Sequence, residues 1–258
     1  MQPQLHSYHI AKDVVAFSST RRGGVSNGAY GEFNINLWCG DSVKHTTRNL
    51  ELLASELGIA KDHIIIPHQV HKTETRIISN SFFQLSEADR TAYIDGVDAL
   101  ITNLTGVCIG VSTADCIPVL LYDPVHHASA AIHAGWRGTQ QRIVAKTVET
   151  MQKQYGTNLA DLQAVIGPGI SLQAFEVGQE VYDAFAEAGF DMPSISVKKE
   201  KWHINLPLCN KLQLKSIGVP EDSIQCADIC TYSSHEDFFS ARRLGINSGR
   251  IYNGILMK

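Results

Sequence analysis

Residues 107–138 read VCIGVSTADCIPVLLYDPVHHASAAIHAGWRG, and this stretch decides the fold class. Val107–Val111, Ile117–Tyr122 and Ser129–His133 are three apolar or alternating runs of strand length, each too short for an independent helix. Asp123-Pro124 and the adjacent His126 and His127 mark a surface turn between the second and third runs. A helix follows GWRG, with Ile143 or Val144, Thr147 or Val148, Met151 and Tyr155 as its buried stripe and Gly156 as its stop. Three strands before one helix break the βαβ rhythm. That pattern favours α+β with mixed sheets over a doubly wound fold.

Outward from this stretch the same pattern continues. Val14–Ser19 reads as a strand and runs into TRRGGVSNGAYG, a loop with four glycines, before the β-like run FNINLW (Phe33–Trp38). Asp41 or Ser42 caps a helix that carries Leu50, Leu53, Ala54 and Leu57 on one face and stops at Gly58. Ile64–Ile66, Thr75–Ile78 and Ala99–Thr102 are further strands, and AVIGPGI is a strand entering a tight loop. Helices are expected over Gln179–Ala188 and Leu206–Ile217, stopped by Gly189 and Gly218. Phe238 to Leu256 reads as strand, Gly turn and strand. No repeat or Pro/Gly/Ser linker interrupts the chain, so one domain is expected over residues 1–258.

Composition sets limits on function. A formal net charge of −4, from 22 basic and 26 acidic residues, argues against broad binding to nucleic acid or membrane. Met1–Leu5 lacks the cationic start and apolar run of a signal peptide, and no apolar run approaches a membrane span of about 20 residues. The cytoplasm is the expected location. Six cysteines without an export signal are not a disulfide scaffold. Most should be buried reduced thiols, Cys226 and Cys230 included, since their spacing is too wide for C-x-x-C.

Three residues stand out for chemistry: His71 in HQVH, Cys116 in TADC and His133 in IHAGWRG. Two imidazoles and a thiol suit a zinc ion with one position left open, the arrangement of a catalytic rather than a structural site. Cys116 and His133 lie at strand ends, where side chains reach clefts more readily than from strand centres. Their wide spacing does not by itself make them converge. His68 is expected to support the site from behind or to lie at the surface, because an odd separation from His71 puts the two on opposite faces of a strand. In GWRGT, Gly135 and Gly138 permit close backbone approach, and Arg137 offers a permanently charged fork for phosphate at a helix start. Arg21 and Arg22 before Gly23-Gly24, and Arg242 and Arg243 after Phe238-Phe239-Ser240, are further cationic turns that fit an anionic substrate group.

STRRGGVS, FNINLWCGD, HQVH, DGVDALIT, TADCIPVLL, AAIHAGWRGT, IGPGI, FEVG and FFSARR occur in this order, from about Thr20 to Arg250. This set resembles the bacterial laccase-domain family, once labelled polyphenol oxidases and later recognised as purine nucleoside phosphorylases with adenosine deaminase activity. The resemblance implies a single-domain, four-layer α/β/β/α sandwich with mixed sheets. It also implies metal ligation by His71, Cys116 and His133; by their donor chemistry zinc is the expected metal, and copper, which outcompetes zinc at such ligands, can bind in vitro. Implied activities are phosphorolysis of adenosine, inosine, guanosine and methylthioadenosine, and deamination of adenosine. Arg22, Asn34, Gln69 and Arg242 are assigned to substrate, and Cys116, His133, Asp115 and Arg137 to catalysis. Purine nucleosides and phosphate are the expected partners of a monomer or homodimer. Lys72, where a small residue often follows QVH, departs from the pattern at the pocket rim, and Asn34-Ile35-Asn36-Leu37 varies the family's Asn-Leu segment.

For deamination, zinc would activate a water toward the purine C6, and Asp115 is the candidate proton carrier. The usual nucleobase-deaminase pattern, H-x-E with P-C-x-x-C, is absent. For phosphorolysis, Arg137 and the Gly-rich turns are the candidate phosphate holders. A copper polyphenol oxidase fits poorly, because the chain contains no H-x-H pair. A Cys–His hydrolase or amidase, with Cys116 as nucleophile and His133 as base, uses two of the same residues and needs no third ligand. A non-catalytic binding or redox scaffold is the remaining class.

Overall fold

Two mixed sheets and one small antiparallel sheet hold the strands of the chain, which the computed structural model describes from Met1 to Lys258. The first sheet runs in the order β1 (Leu5–Tyr8), β2 (Val14–Ser19), β14 (Ile251–Met257), β6 (Cys108–Thr113) and β3 (Ile64–Ile65). The second has the order β13 (Ile224–Cys226), β9 (Gln163–Ile166), β7 (Ile117–Asp123), β8 (Ala128–Ala134), β5 (Ala99–Thr102) and β4 (Thr75–Ile78). Only the β6–β3, β13–β9 and β5–β4 pairs within these two sheets are parallel. The third sheet pairs β10 (Glu176–Val177), β12 (Trp202–Ile204) and β11 (Ser196–Lys198).

The two large sheets face each other, and the side-chain period of two shows how. In β7, Leu120 and Tyr122 pack with Val111 and Ile255 of the first sheet. Ile117, Val119 and Leu121 point the other way and join Val144, Val148 and Met151 of a helix. Burial on both faces explains why β7 reads as a continuous apolar run. Helix α1 (Val43–Leu57) covers the outer face of the first sheet through Leu53, Ala54 and Leu57, against Phe17, Cys108 and Tyr252. The outer face of the second sheet carries α5 (Ile143–Tyr155), α6 (Gln179–Glu187) and α8 (Leu206–Ile217). The remaining helices are short: α2 (Asn80–Gln84), α3 (Glu87–Tyr93), α4 (Trp136–Gln140), α7 (Met192–Ile195) and α9 (Ala241–Leu244). None of the helices is long and apolar enough to cross a membrane.

Three expectations need correction. FNINLW is not a strand: Phe33 and Ile35 are buried, but Asn34 binds its own loop, donating to the carbonyl of Asn36 and the carboxylate of Asp41. The segment from Phe238 contributes one strand, β14, because residues 238–250 are spent on α9 and a loop that walls the functional cavity. The helix after GWRG is two helices, broken at Arg142, whose φ is 65°. The break has a tertiary cause. Gln213 of α8 donates to the Thr139 carbonyl at 2.9 Å, and Asn210 donates to the Thr139 hydroxyl at 3.2 Å, so α8 takes over the end of α4.

The cysteines also depart from expectation. All six are free, but only Cys108 and Cys209 are buried; Cys39, Cys116, Cys226 and Cys230 are half-buried.

Candidate metal centre and its cavity

β6 belongs to the first sheet and β7 to the second, and Ala114-Asp115-Cys116 is the crossing between them. Asp115 takes a φ of 86° to make this tight turn. Cys116 therefore emerges where the two sheets part. His133 reaches the same point because β8 pairs antiparallel with β7, setting His133 opposite Pro118, two residues beyond Cys116. His71 arrives from the loop before β4, with a φ of 60° and its ring edge-on to that of His133, centroids 4.8 Å apart. The ligating atoms of His71, Cys116 and His133 all lie within 4.8 Å of one another. Side chains from residues 45 and 17 positions apart in sequence thus converge on one point.

Asp98, at the start of β5, organises this cluster, and the sequence reading passed over it. The β5–β8 register brings it beside His133, whose main-chain N–H donates to the Asp98 carbonyl at 2.8 Å. Its carboxylate, fully buried, accepts from His133 Nδ1 at 2.7 Å and from the main-chain N–H groups of Val70, His71 and Lys72. One carboxylate therefore fixes the His133 ring and the main chain that carries His71. Because Nδ1 of His133 must carry the hydrogen, Nε2 is left with its lone pair for a metal. The only signal in the sequence was Asp98's position within DGVDALIT.

Charge interactions in this cluster overcome burial. Burial alone would raise the Cys116 thiol; His133 and His71 beside it bring it down to about 6. Burial alone would lower His133; Cys116 and Asp98 raise it to about 9. Asp98, pushed up by burial, ends below the usual carboxylate range through the hydrogen bond and charge of His133 and the N–H groups of Lys72 and Val70. By contrast, burial pushes the Cys108 and Cys209 thiols up to about 12. Of these three cysteines, only Cys116 is placed to be a thiolate at neutral pH.

The donor set fits a divalent metal ion. It offers one thiolate and two imidazoles, one imidazole oriented by a carboxylate, and it leaves a coordination position facing a cavity. Gly135 supplies a second observation: a Cβ there would stand 3.1 Å from both Cys116 Sγ and His71 Cδ2. The GWRG turn passes so close that a Cβ would make the thiol and the imidazole give way by a few tenths of an ångström. Gly135→Ala is therefore expected to push the thiol and imidazole apart, weakening metal binding at least tenfold while shifting the melting temperature by only a few degrees. Metal titration monitored alongside thermal unfolding separates the two effects.

The cluster opens into a cavity of about 550 Å³. Gln69 lines it, its side-chain amide clamped to the Ser112 main chain by bonds of 2.8 and 2.7 Å. Arg242 lines it as well, its main-chain N–H donating to Asp115 Oδ2 and its guanidinium to the carbonyls of Ala174 and Glu176. The other Asp115 oxygen accepts from the Thr231 hydroxyl at 2.7 Å. With both oxygens accepting, Asp115 ties the Arg242 main chain to Thr231. Arg137 does not line the cavity; it is exposed and lies over the Trp136 ring at 4.2 Å. Arg22 pairs with Asp237 at the surface, and Asn34 is fully buried, accepting from the Arg250 main-chain N–H. Neither Arg22 nor Asn34 lines the cavity. His68 is in a loop, not a strand, and lines the same cavity as His71. Lys72 is exposed and stays clear of it. Arg250 and Trp38 line the cavity and had no part in the sequence reading of the site.

Residues 15–258 match the family described as multi-copper polyphenol oxidoreductase laccase. The chain belongs to this family. Within the laccase family its relatives carry names from nucleoside chemistry. A purine nucleoside phosphorylase of Bacteroides thetaiotaomicron is 48% identical over 248 residues, covering 95% of this chain and 92% of the relative. Adenosine deaminase RL5, from an unknown prokaryotic organism, is 41% identical over 261 residues and 99% of each chain. The crystal structure of Bacillus licheniformis hypothetical protein YfiH superimposes with a TM-score of 0.89 at 28% identity, over 95% of this chain and 93% of that one. The family label speaks of several coppers, whereas this laccase-family chain brings together a single cluster of two histidines and one cysteine.

Proposed function

We propose that this chain is a zinc-dependent purine nucleoside phosphorylase that cleaves adenosine, inosine, guanosine and methylthioadenosine to base and ribose 1-phosphate, with adenosine deaminase activity. The observation that carries the proposal is the His71–Cys116–His133 cluster opening onto a cavity that also holds two arginines. The names of the relatives support the substrate class. Zinc bound to the cluster supplies Lewis acidity toward an oxygen nucleophile. The six free thiols fit a cytoplasmic enzyme, monomeric or homodimeric.

Arg242 and Arg250 take the phosphate role that sequence reading gave to Arg137. Both guanidinium groups hydrogen-bond main-chain carbonyls, which leaves their charge available to an anion. The single carboxylate that lines the cavity, Asp115, is already occupied by Thr231 and the Arg242 main chain. A locally positive cavity in a chain of net charge −4 holds phosphate against the ribose C1′. Phosphate oxygen bonds to C1′ as the C1′–N9 bond breaks and its electron pair leaves with the base. In deamination water adds at C6 and ammonia leaves.

A Cys–His hydrolase remains the second reading, and one arrangement favours it. Cys116, His133 and Asp98 stand in the order nucleophile, base and orienting carboxylate, with the His133–Asp98 bond at 2.7 Å. Chelation separates the two. Zinc-loaded and metal-stripped protein are incubated with adenosine, with and without phosphate, and adenine, ribose 1-phosphate, inosine and ammonia are followed. The expected result is adenine and ribose 1-phosphate only with phosphate, inosine and ammonia without it, and neither after stripping. Absence of purine products in every condition refutes the proposal, and activity that survives stripping favours the hydrolase.

A further inference from the structure

Trp38 is the one aromatic residue among the large apolar side chains that remain exposed, at 40%, and it lines the same cavity as Cys116 and His133. It is held flat. His68 stacks on the indole with ring centroids 5.1 Å apart and planes at 25°. His68 is fixed in turn by Nδ1–H donating to Asp95 Oδ1 at 2.6 Å. From the other side, the Trp38 main-chain N–H donates to Asn36 Oδ1 at 2.8 Å, and buried Asn34 ties down the same loop. Asn34, expected to touch substrate, instead sets the position of this loop. The result is a preordered aromatic surface in the cavity that also holds the His71–Cys116–His133 cluster and two arginines. A flat ring that stacks on such a surface gives up little freedom, because the protein side has already been ordered. Phosphate and ribose have no planar π-face to match it; a nucleobase does.

We propose that the Trp38–His68 pair is the wall of this cavity on which the planar base of the substrate stacks. The inference rests on the nucleoside reading above. Steady-state kinetics with adenosine and phosphate provide the first test. Trp38→Ala is expected to raise the KM for adenosine about tenfold, within the range found for losing one base–aromatic stack, with kcat within about twofold and the KM for phosphate unchanged. Trp38→Phe keeps a ring and recovers most of the loss. Fluorescence provides the second test: adenine should quench wild-type indole emission and should not quench Trp38→Phe, because Trp136 and Trp202 do not line the cavity. An unchanged adenosine KM in Trp38→Ala, or an equal rise in the phosphate KM, overturns the stacking wall and leaves the proposed function standing. If the wild type turns over no nucleoside, the function falls by itself. The quench then decides the wall: present only with Trp38 supports it, absent in the wild type overturns it.

Discussion

Cys116→Ala is expected to remove bound metal and turnover together. The substitution deletes the one thiolate and leaves two imidazoles, so metal affinity falls by more than the roughly 10–100-fold that loss of an outer-shell partner costs. Metal content after gel filtration and turnover of adenosine are the two readouts. Turnover that persists in metal-free Cys116→Ala removes this residue from both the metal and the nucleophile readings. The wild-type thiol offers an independent check. In metal-free protein Cys116 is lowered to about 6 and His133 raised to about 9, so the two form a thiolate–imidazolium pair between those values. Iodoacetamide at neutral pH should then modify Cys116 well before Cys108 or Cys209, whose thiols are pushed up to about 12. The rate should fall as pH drops through about 6, and bound metal should suppress it.

Asp98→Ala is expected to be the most damaging single change outside the three metal-facing residues. It strands the buried His133 Nδ1–H and the main-chain N–H groups of Val70, His71 and Lys72. Removing one partner of a buried charged pair costs about 3–5 kcal/mol, against a total stability of about 5–15 kcal/mol for a protein domain. Metal affinity should drop roughly 10–100-fold as His133 loses its orientation. Asp98→Asn keeps the volume and one acceptor oxygen, and should fall between wild type and alanine. The pH dependence has a definite sign. Asp98 is held below its unfolded value, so its contribution is complete above the ordinary aspartate range near about 4 and is lost as pH falls through the folded value. Acid unfolding of Asp98→Ala should lack that component. Urea titrations across the acid limb measure the difference, and identical acid limbs would refute the assignment.

Much of the scaffold was readable from local pattern. Val14–Ser19, Thr75–Ile78, Ala99–Thr102 and Leu206–Ile217 fold with the boundaries their sequence predicts. Their signals are short-range: apolar runs bounded by turns, and a helix stopped at Gly218 in the left-handed conformation. Misreadings arose where a distant partner intervened. α8 splits the helix after GWRG through Gln213 and Asn210, and FNINLW is held as a loop by Asn49 Nδ2 donating to the Asn34 carbonyl and the Arg250 main-chain N–H donating to Asn34 Oδ1.

The site divides along the same line. His71, Cys116 and His133 stood out because of their chemistry and their places beside strands and Gly turns. That much is local. Their convergence depends on β7–β8 pairing and on the crossing from one sheet to the other at Asp115. Arg250 and Trp38 carry no chemical pattern of their own, and Asp98 is marked only by its place within DGVDALIT. Asp98 matters because β5 registers with β8; Arg250 and Trp38 matter because one buried side chain, Asn34, joins their two loops. The sequence by itself determined which side chains could hold a metal and where most of the strands and long helices lie, since residue chemistry and hydrophobic period are properties of neighbours along the chain. Only the tertiary structure decided what orients those side chains and what lines the cavity before them, because hydrogen bonds across the sheets join residues that the sequence keeps far apart.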